Sequence, residues 1–259
     1  MARLTLRDAL LRGKRRPRRF GAGSPTTYRG DGYEFVELRA YVPGDDVRRI
    51  DWAATARAGE LQTRVVLEDV ALTLAVAVDD SPSMQVGRSR TLLDAAHDAA
   101  DAWFAAAGSG DRLMRIGSNY AGPPHAPVAA PFEVGAALAT ARAALRRGTA
   151  LLVIGDWYDL DTRHEDLLAN LGAWCDCTAL IARDPWYEGL PVGGIVRFAG
   201  AEGGTLRTYV GKRERAAFFA AVREREAALA ARFAAAGWRC GILNEADGAA
   251  SLRAAFGVP

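Results

Sequence analysis

From about position 71 onward the chain alternates short apolar runs with longer stretches of apolar residues at helical spacing. Positions 72–78 are almost continuously apolar, the pattern of a strand buried on both faces. Shorter runs of this kind recur at 112–116, 151–155, 178–182 and 238–243. Between them, Leu92, Leu93, Ala96, Ala100, Trp103 and Phe104 return every three or four residues and predict a helix over 90–107. Further helices are predicted over 132–146, 164–174 and 249–256, and a long amphipathic one over 212–236, stopped by Gly237. The prolines at 123, 124, 127 and 131 make 119–131 a loop. Runs at 195–199 and 206–210 flank a glycine-rich turn and read as a β-hairpin. This alternation predicts an α/β domain over 71–259, a doubly wound and mostly parallel sheet with helices on both faces.

The first 70 residues read differently. Residues 1–30 form a basic flexible arm: Arg3, Arg7, Arg12, Lys14, Arg15, Arg16, Arg18 and Arg19 crowd its start, and Gly21, Gly23, Pro25 and Gly30 break any long helix, although a short one fits 4–11. Residues 31–70 read as a small β segment packing on the main domain. One strand carries Tyr33, Phe35, Val36 and Leu38, a second covers 61–67, and Val42-Pro43-Gly44-Asp45 is a turn set by its proline and glycine.

A length of 259 residues suits one large domain, or one domain with an appended segment. Half of the residues are hydrophobic and 25% are charged, which is ordinary for a globular chain, and a net charge of +2 draws the molecule neither to nucleic acid nor to a membrane. The 3 cysteines, Cys175, Cys177 and Cys240, have the spacing of neither a redox pair nor a zinc ribbon and read as buried small side chains in a reducing compartment. The 3 histidines are too widely spaced for a metal cluster or a Ser-His-Asp set. No run approaches the roughly 20 apolar residues that span a bilayer, and the basic start is not followed by the apolar core of a signal peptide. A cytoplasmic protein is expected.

Two constellations could carry chemistry. The run 76–84 ends an apolar strand in Asp79-Asp80-Ser81-Pro82-Ser83-Met84. Asp79, Ser81 and Ser83 are hard oxygen donors at the carboxyl end of a strand, where ligands gather in α/β folds. They suit magnesium, with manganese or calcium as substitutes, and the serines also suit the simpler task of capping the next helix. Asp156 ends a second apolar strand, and adjacency of the two strands would bring it to the same crevice. Asp80 and Asp159 add negative charge nearby, Asp159 as surface solvation. The second constellation packs Arg39, Tyr41, Asp45, Asp46, Arg48, Asp51, Trp52 and Arg57 into one short stretch. Acids and arginines interleaved with aromatics read as a hydrogen-bonded structural network, with a partner-binding surface as the alternative.

The Asp-x-Ser-x-Ser turn resembles the metal-ion-dependent adhesion site of von Willebrand factor A domains, where the metal captures a partner's carboxylate and the second aspartate, here Asp156, binds through water. Such sites also take a threonine from the loop before the third helix, and 119–131 has none. The pattern Arg-x-Tyr-x-Pro-Gly-Asp-Asp-Val-Arg-x-Ile-Asp-Trp-x-x-Thr-Ala-Arg from Arg39, with Gly30-Asp31-Gly32-Tyr33 before it and Glu68 after it, resembles the bacterial family called domain of unknown function 58. That resemblance implies a von Willebrand A-like domain after the signature. It also implies a soluble, non-enzymatic adaptor that works with an AAA+ ATPase of the MoxR class in chaperone-like maturation, or in metal or cofactor insertion, of a client protein. The alternatives are a metal-dependent hydrolase, phosphatase or nuclease, built on Asp79, Asp80 and Asp156, and nucleic-acid binding through the basic arm.

Overall fold

The apolar runs become the middle of a sheet. The computed structural model describes residues 5–14, 34–43, 45, 47–67, 71–125, 130–187, 189, 192–201 and 203–258. These fall into two compact units, Leu11–Ala71 on one hand and Met1–Leu10 with Leu72–Pro259 on the other. Most of the expected basic arm, with Arg15 to Tyr33, lies outside the described residues, as do Gly44, Asp46 and Glu68.

The start of the expected arm is helical. Helix α1 (Leu6–Lys14) buries Leu6 and Leu10, and its Arg7 pairs with Asp111. In the smaller unit, β1 (Glu34–Ala40) pairs antiparallel with β2 (Gln62–Leu67), with a register shift between Phe35 and Glu37. Between them runs α2 (Trp52–Ala58), a helix that the reading of 31–70 as two strands and a turn did not anticipate. Asp51 caps it by accepting from the Ala54 N–H at 2.9 Å, and Gly59, at φ 72°, ends it in the left-handed conformation that glycine adopts without strain.

In the larger unit the sheet contains β3 (Thr73–Val78), β4 (Arg112–Ile116), β5 (Ala121–Gly122), β6 (Ala150–Gly155), β7 (Asp176–Ala182) and the last strand, Arg239–Leu243. Read across, the order is last strand, β7, β6, β3, β4, β5, all parallel except β5, which pairs antiparallel with β4 at the edge. That short strand sits inside the stretch expected as loop. Strands β3, β6 and β7 are buried along nearly their whole length, so both faces must be covered.

Helices do the covering. Alternate residues Ala75, Ala77, Leu151, Val153, Ala179 and Ile181 share a core with Val134 and Leu138 of α4 (Val134–Ala144), Leu168 and Leu171 of α5 (Glu165–Trp174), and Leu229 and Phe233 of the long helix after the hairpin. Helix α3 (Leu92–Ala105) packs on β3 and on the C-terminal helix Gly248–Ala255. The hairpin, β8 (Gly194–Ala199) and β9 (Thr205–Val210), is a separate two-stranded sheet. It leads into α6 (Lys212–Ala235), and then come β10 (Arg239–Leu243) and α7 (Gly248–Ala255). Helix α6 departs from the amphipathic expectation: among its residues only Leu229 and Phe233 are buried, both in its C-terminal half.

Because β3 leads through α3 to β4 on one side, while β6 leads through α5 to β7 on the other, the strand order switches between β3 and β6. A crevice opens outside the carboxyl ends of such a pair. The contact of α7 with α3 is close enough to exclude a side chain: a Cβ at Gly248 would stand 1.8 Å from the Ala95 carbonyl oxygen. Gly248→Ala is therefore expected to destabilise the protein by about 1–3 kcal/mol, read as a lower urea midpoint with an unchanged denaturant slope.

Candidate functional site

Strands β3 and β6 run in register, Val78 beside Ile154, and the Asp79 N–H donates to the Ile154 carbonyl at 2.9 Å. This extends the ladder one residue past β3 and fixes Asp79 against the end of β6. Gly155 eases this approach, because a Cβ at that position would lie a tight 3.0 Å from the Asp79 Cβ and Oδ2. Asp79 is 6% exposed, and its Oδ1 accepts from the Ser81 N–H at 2.9 Å. Ser81 and Ser83 then turn into a short 3₁₀ segment (Pro82–Gln85) with their hydroxyls 2.8 Å apart. The chain after β6 supplies Asp156, whose Oδ1 accepts from the Tyr158 N–H at 2.9 Å.

These residues line one cleft of about 180 Å³ together with Phe132, Val134, Val153, Ile154, Gly155, Trp157, Tyr158 and Asp159. The four residues expected at a metal site, Asp79, Ser81, Ser83 and Asp156, are thus brought together. Asp80 lies outside the cleft lining, its Oδ1 facing the Phe132 N–H at 3.3 Å. Asp159, expected only to solvate the surface, lines the cleft.

The wall expected to lack threonine is apolar, built from Phe132 and Val134. The hydroxyls nearest in sequence have structural tasks. Ser118 donates to the Pro131 carbonyl and accepts from the Glu133 N–H, and Thr140 donates to the Ser118 carbonyl. Together they hold the loop before α4.

Trp157 is the residue that sequence reasoning missed. It is a non-glycine residue with φ 61°, a conformation that costs energy and persists only where the surroundings enforce it. Its indole N–H donates to the Leu180 carbonyl, and its ring packs edge-on to Phe233 and Trp238 at 4.7 and 6.3 Å. The anchored indole sets the direction of the chain beside Asp156. Arg225 stacks on Tyr158 at 3.8 Å and donates to the Asp156 main-chain carbonyl, leaving the Asp156 carboxylate to the cleft.

Burial pushes the Asp79 carboxyl above its ordinary value; the hydrogen bonds from Ser81 oppose this, and the nearby Asp156 and Asp80 reinforce it. Among the described residues lining the cleft there is no lysine, arginine, histidine or cysteine. One desolvated carboxylate, a second beside it and two hydroxyls form a donor set that fits a hard cation able to keep several waters. Among the described residues, no three His, Cys, Asp or Glu side chains converge as a metal cage, so such a cation would rest on the hydroxyls as much as on the acids.

The second constellation is largely a network. Asp45 is buried, pairs with Arg39 at 2.9 Å and accepts from the Val42 N–H at 3.0 Å. Asp51 caps α2 and pairs with Arg64 at 2.8 Å, and these hydrogen bonds hold its carboxyl below the usual range. Tyr41 is half-buried and joins β1 to the start of β2 through its N–H and the Leu61 carbonyl. Arg48 and Arg57 are exposed, and Trp52 is 68% exposed on α2. Asp46 lies outside the described residues.

The family described as "Protein of unknown function DUF58" matches residues 37–122. Uncharacterized proteins of Mycobacterium bovis and of two strains of Mycobacterium tuberculosis are 31% identical across 70% of this chain. The chain spans 64% of the length of these relatives. No solved structure gives a significant match. Among the described residues no helix is long and apolar enough to cross a membrane.

Two predictions follow from the geometry. Because the folded Asp79 holds its proton more tightly than the unfolded chain does, its ionisation opposes folding. In chelator, Asp79→Asn should raise the melting temperature at pH 7, and the gain should shrink as the pH falls through the raised folded-state value and vanish below the ordinary aspartate value of 3.8. In the smaller unit, Asp51→Ala should lower the thermal midpoint, whereas Asp51→Asn, which can still cap α2, should lower it less.

Proposed function

Building on the match of residues 37–122 to the DUF58 family, whose function is unknown, we propose that the protein is a non-enzymatic interaction module. Its strand-end crevice takes a magnesium ion and, through it, a carboxylate of a partner protein. In this reading the module works in the cytoplasm as an adaptor for an AAA+ ATPase of the MoxR class, presenting a client for maturation or cofactor insertion.

The observation that supports this reading is the meeting of Asp79, Ser81, Ser83 and Asp156 in one cleft that has no basic or nucleophile-activating side chain on its described walls. Asp79 and Asp156 would hold the cation, with the serine hydroxyls completing its protein donors. The ion would supply positive charge that the cleft itself lacks. A hydrolase using these acids would need a base for water or a cation for phosphate beside them, and the lining offers Phe132, Val134, Trp157 and Tyr158 instead. Those side chains suit exclusion of water around a docked carboxylate.

The test is a calorimetric titration of Mg²⁺ and Mn²⁺ into chelator-treated protein, with Asp79→Ala alongside, followed by co-purification of an ATPase partner with and without chelator. Saturable binding that disappears in Asp79→Ala is expected. It should bring thermal stabilisation of about 2.7 kcal/mol at a hundredfold excess over Kd and magnesium-dependent co-purification. Partner binding that ignores both the chelator and Asp79→Ala would remove the metal from this function.

A further inference from the structure

One face of the β8–β9 hairpin is exposed along both strands. Alternation along the strands puts Ile195, Arg197 and Ala199 of β8 on that face with Tyr209, Arg207 and Thr205 of β9. All six are exposed, Ile195 at 69% and Tyr209 at 62%. The register sets Ile195 directly beside Tyr209 and Arg197 directly beside Arg207.

Like charges directly opposite each other weaken a strand pair. Neither arginine has an ion pair or hydrogen bond with any described residue to offset this. The first turn of α6, which follows β9, adds Lys212, Arg213 and Arg215, while its acid, Glu214, is occupied by the Gly211 N–H at 2.9 Å. Protection of a hairpin edge from aggregation does not require such an arrangement. A single arginine, or an arginine opposite a glutamate, protects the edge and repels nothing.

We propose that this hairpin is a docking arm for an acidic, extended segment of a partner protein. Carboxylates of the segment bridge Arg197 and Arg207, each guanidinium offering the paired donors that fit a carboxylate. An apolar side chain of the same segment covers Ile195 and Tyr209. Among the described residues each strand of this two-stranded sheet keeps one unpaired edge, so the segment can also add by main-chain hydrogen bonds, with side-chain alternation setting its specificity. The surface is independent of the strand-end crevice.

The test uses the full chain in chelator, so that the crevice plays no part, and a fluorescent synthetic peptide alternating glutamate with leucine. Binding is expected to weaken as salt rises. It should fall by about tenfold or more in R197E/R207E, and R197Q/R207Q, which adds no new charge, should also lose affinity. The R197E/R207E variant should in turn bind the matching peptide that alternates lysine with leucine. Circular dichroism establishes that the variants fold. Equal affinity of the wild-type chain and R197E/R207E for the glutamate peptide would overturn the proposal. So would failure of the wild-type chain to bind that peptide while it binds phosphatidylserine-containing vesicles or duplex DNA, since the arm would then serve lipid or nucleic acid.

Discussion

Asp79 is withdrawn from water by the pairing of β3 with β6, and the acidic crevice depends on that contact. The Asp79 N–H continues the parallel ladder onto Ile154, which draws the side chain against the end of the neighbouring strand. Glycine at position 155 gives the carboxylate room, since a Cβ there would stand only 3.0 Å from it. A buried carboxylate loses hydration that the hydrogen bonds from Ser81 only partly replace. That deficit raises its proton affinity, and Asp156 and Asp80 add to the rise. A group held in this way is a stored demand for positive charge, placed where the strand order switches and the sheet opens.

What could be read from residues alone follows from how local each feature is. The strands β3, β6 and β7 were legible because burial on both faces demands continuous apolar residues, and Asp79 and Asp156 stood out as the abrupt ends of two of them. Their convergence needed the strand order, which the alternating pattern limits without fixing. Helix α2 was not legible as a helix. At seven residues it is too short to show a period, and its capping signals, Asp51 and Gly59, sit within a signature that reads equally well as a charged network. Helix α6 was legible as a helix but not in its packing, because only its C-terminal half meets the core, at Leu229 and Phe233. Phe132 and Trp157 reach the cleft from loops, where tertiary contacts rather than local pattern decide direction. For Trp157 those contacts, the Leu180 carbonyl and the rings of Phe233 and Trp238, come from distant parts of the chain.

The placement of arginine separates the acids that build structure from those that remain available. In the smaller unit each described carboxylate of the signature is matched: Asp45 by Arg39 and the Val42 N–H, Asp51 by Arg64 and the Ala54 N–H. Such pairs spend their charge internally and hold β1, α2 and β2 together. In the crevice the pattern reverses. Arg225 lies close, yet it donates to the Asp156 main-chain carbonyl and stacks on Tyr158, so the carboxylates of Asp79 and Asp156 keep their charge facing the cleft. The hairpin inverts it again, with Arg197 beside Arg207 and no described carboxylate on either. Asp-rich stretches look alike in a sequence, and their meaning depends on which of them finds a guanidinium. Here the matched set lies in the signature, and the unmatched charges of opposite sign lie in the crevice and on the hairpin. Charge left unmatched within the fold can still gain interaction free energy from a ligand, whereas a pair already satisfied within the fold has little left to offer one.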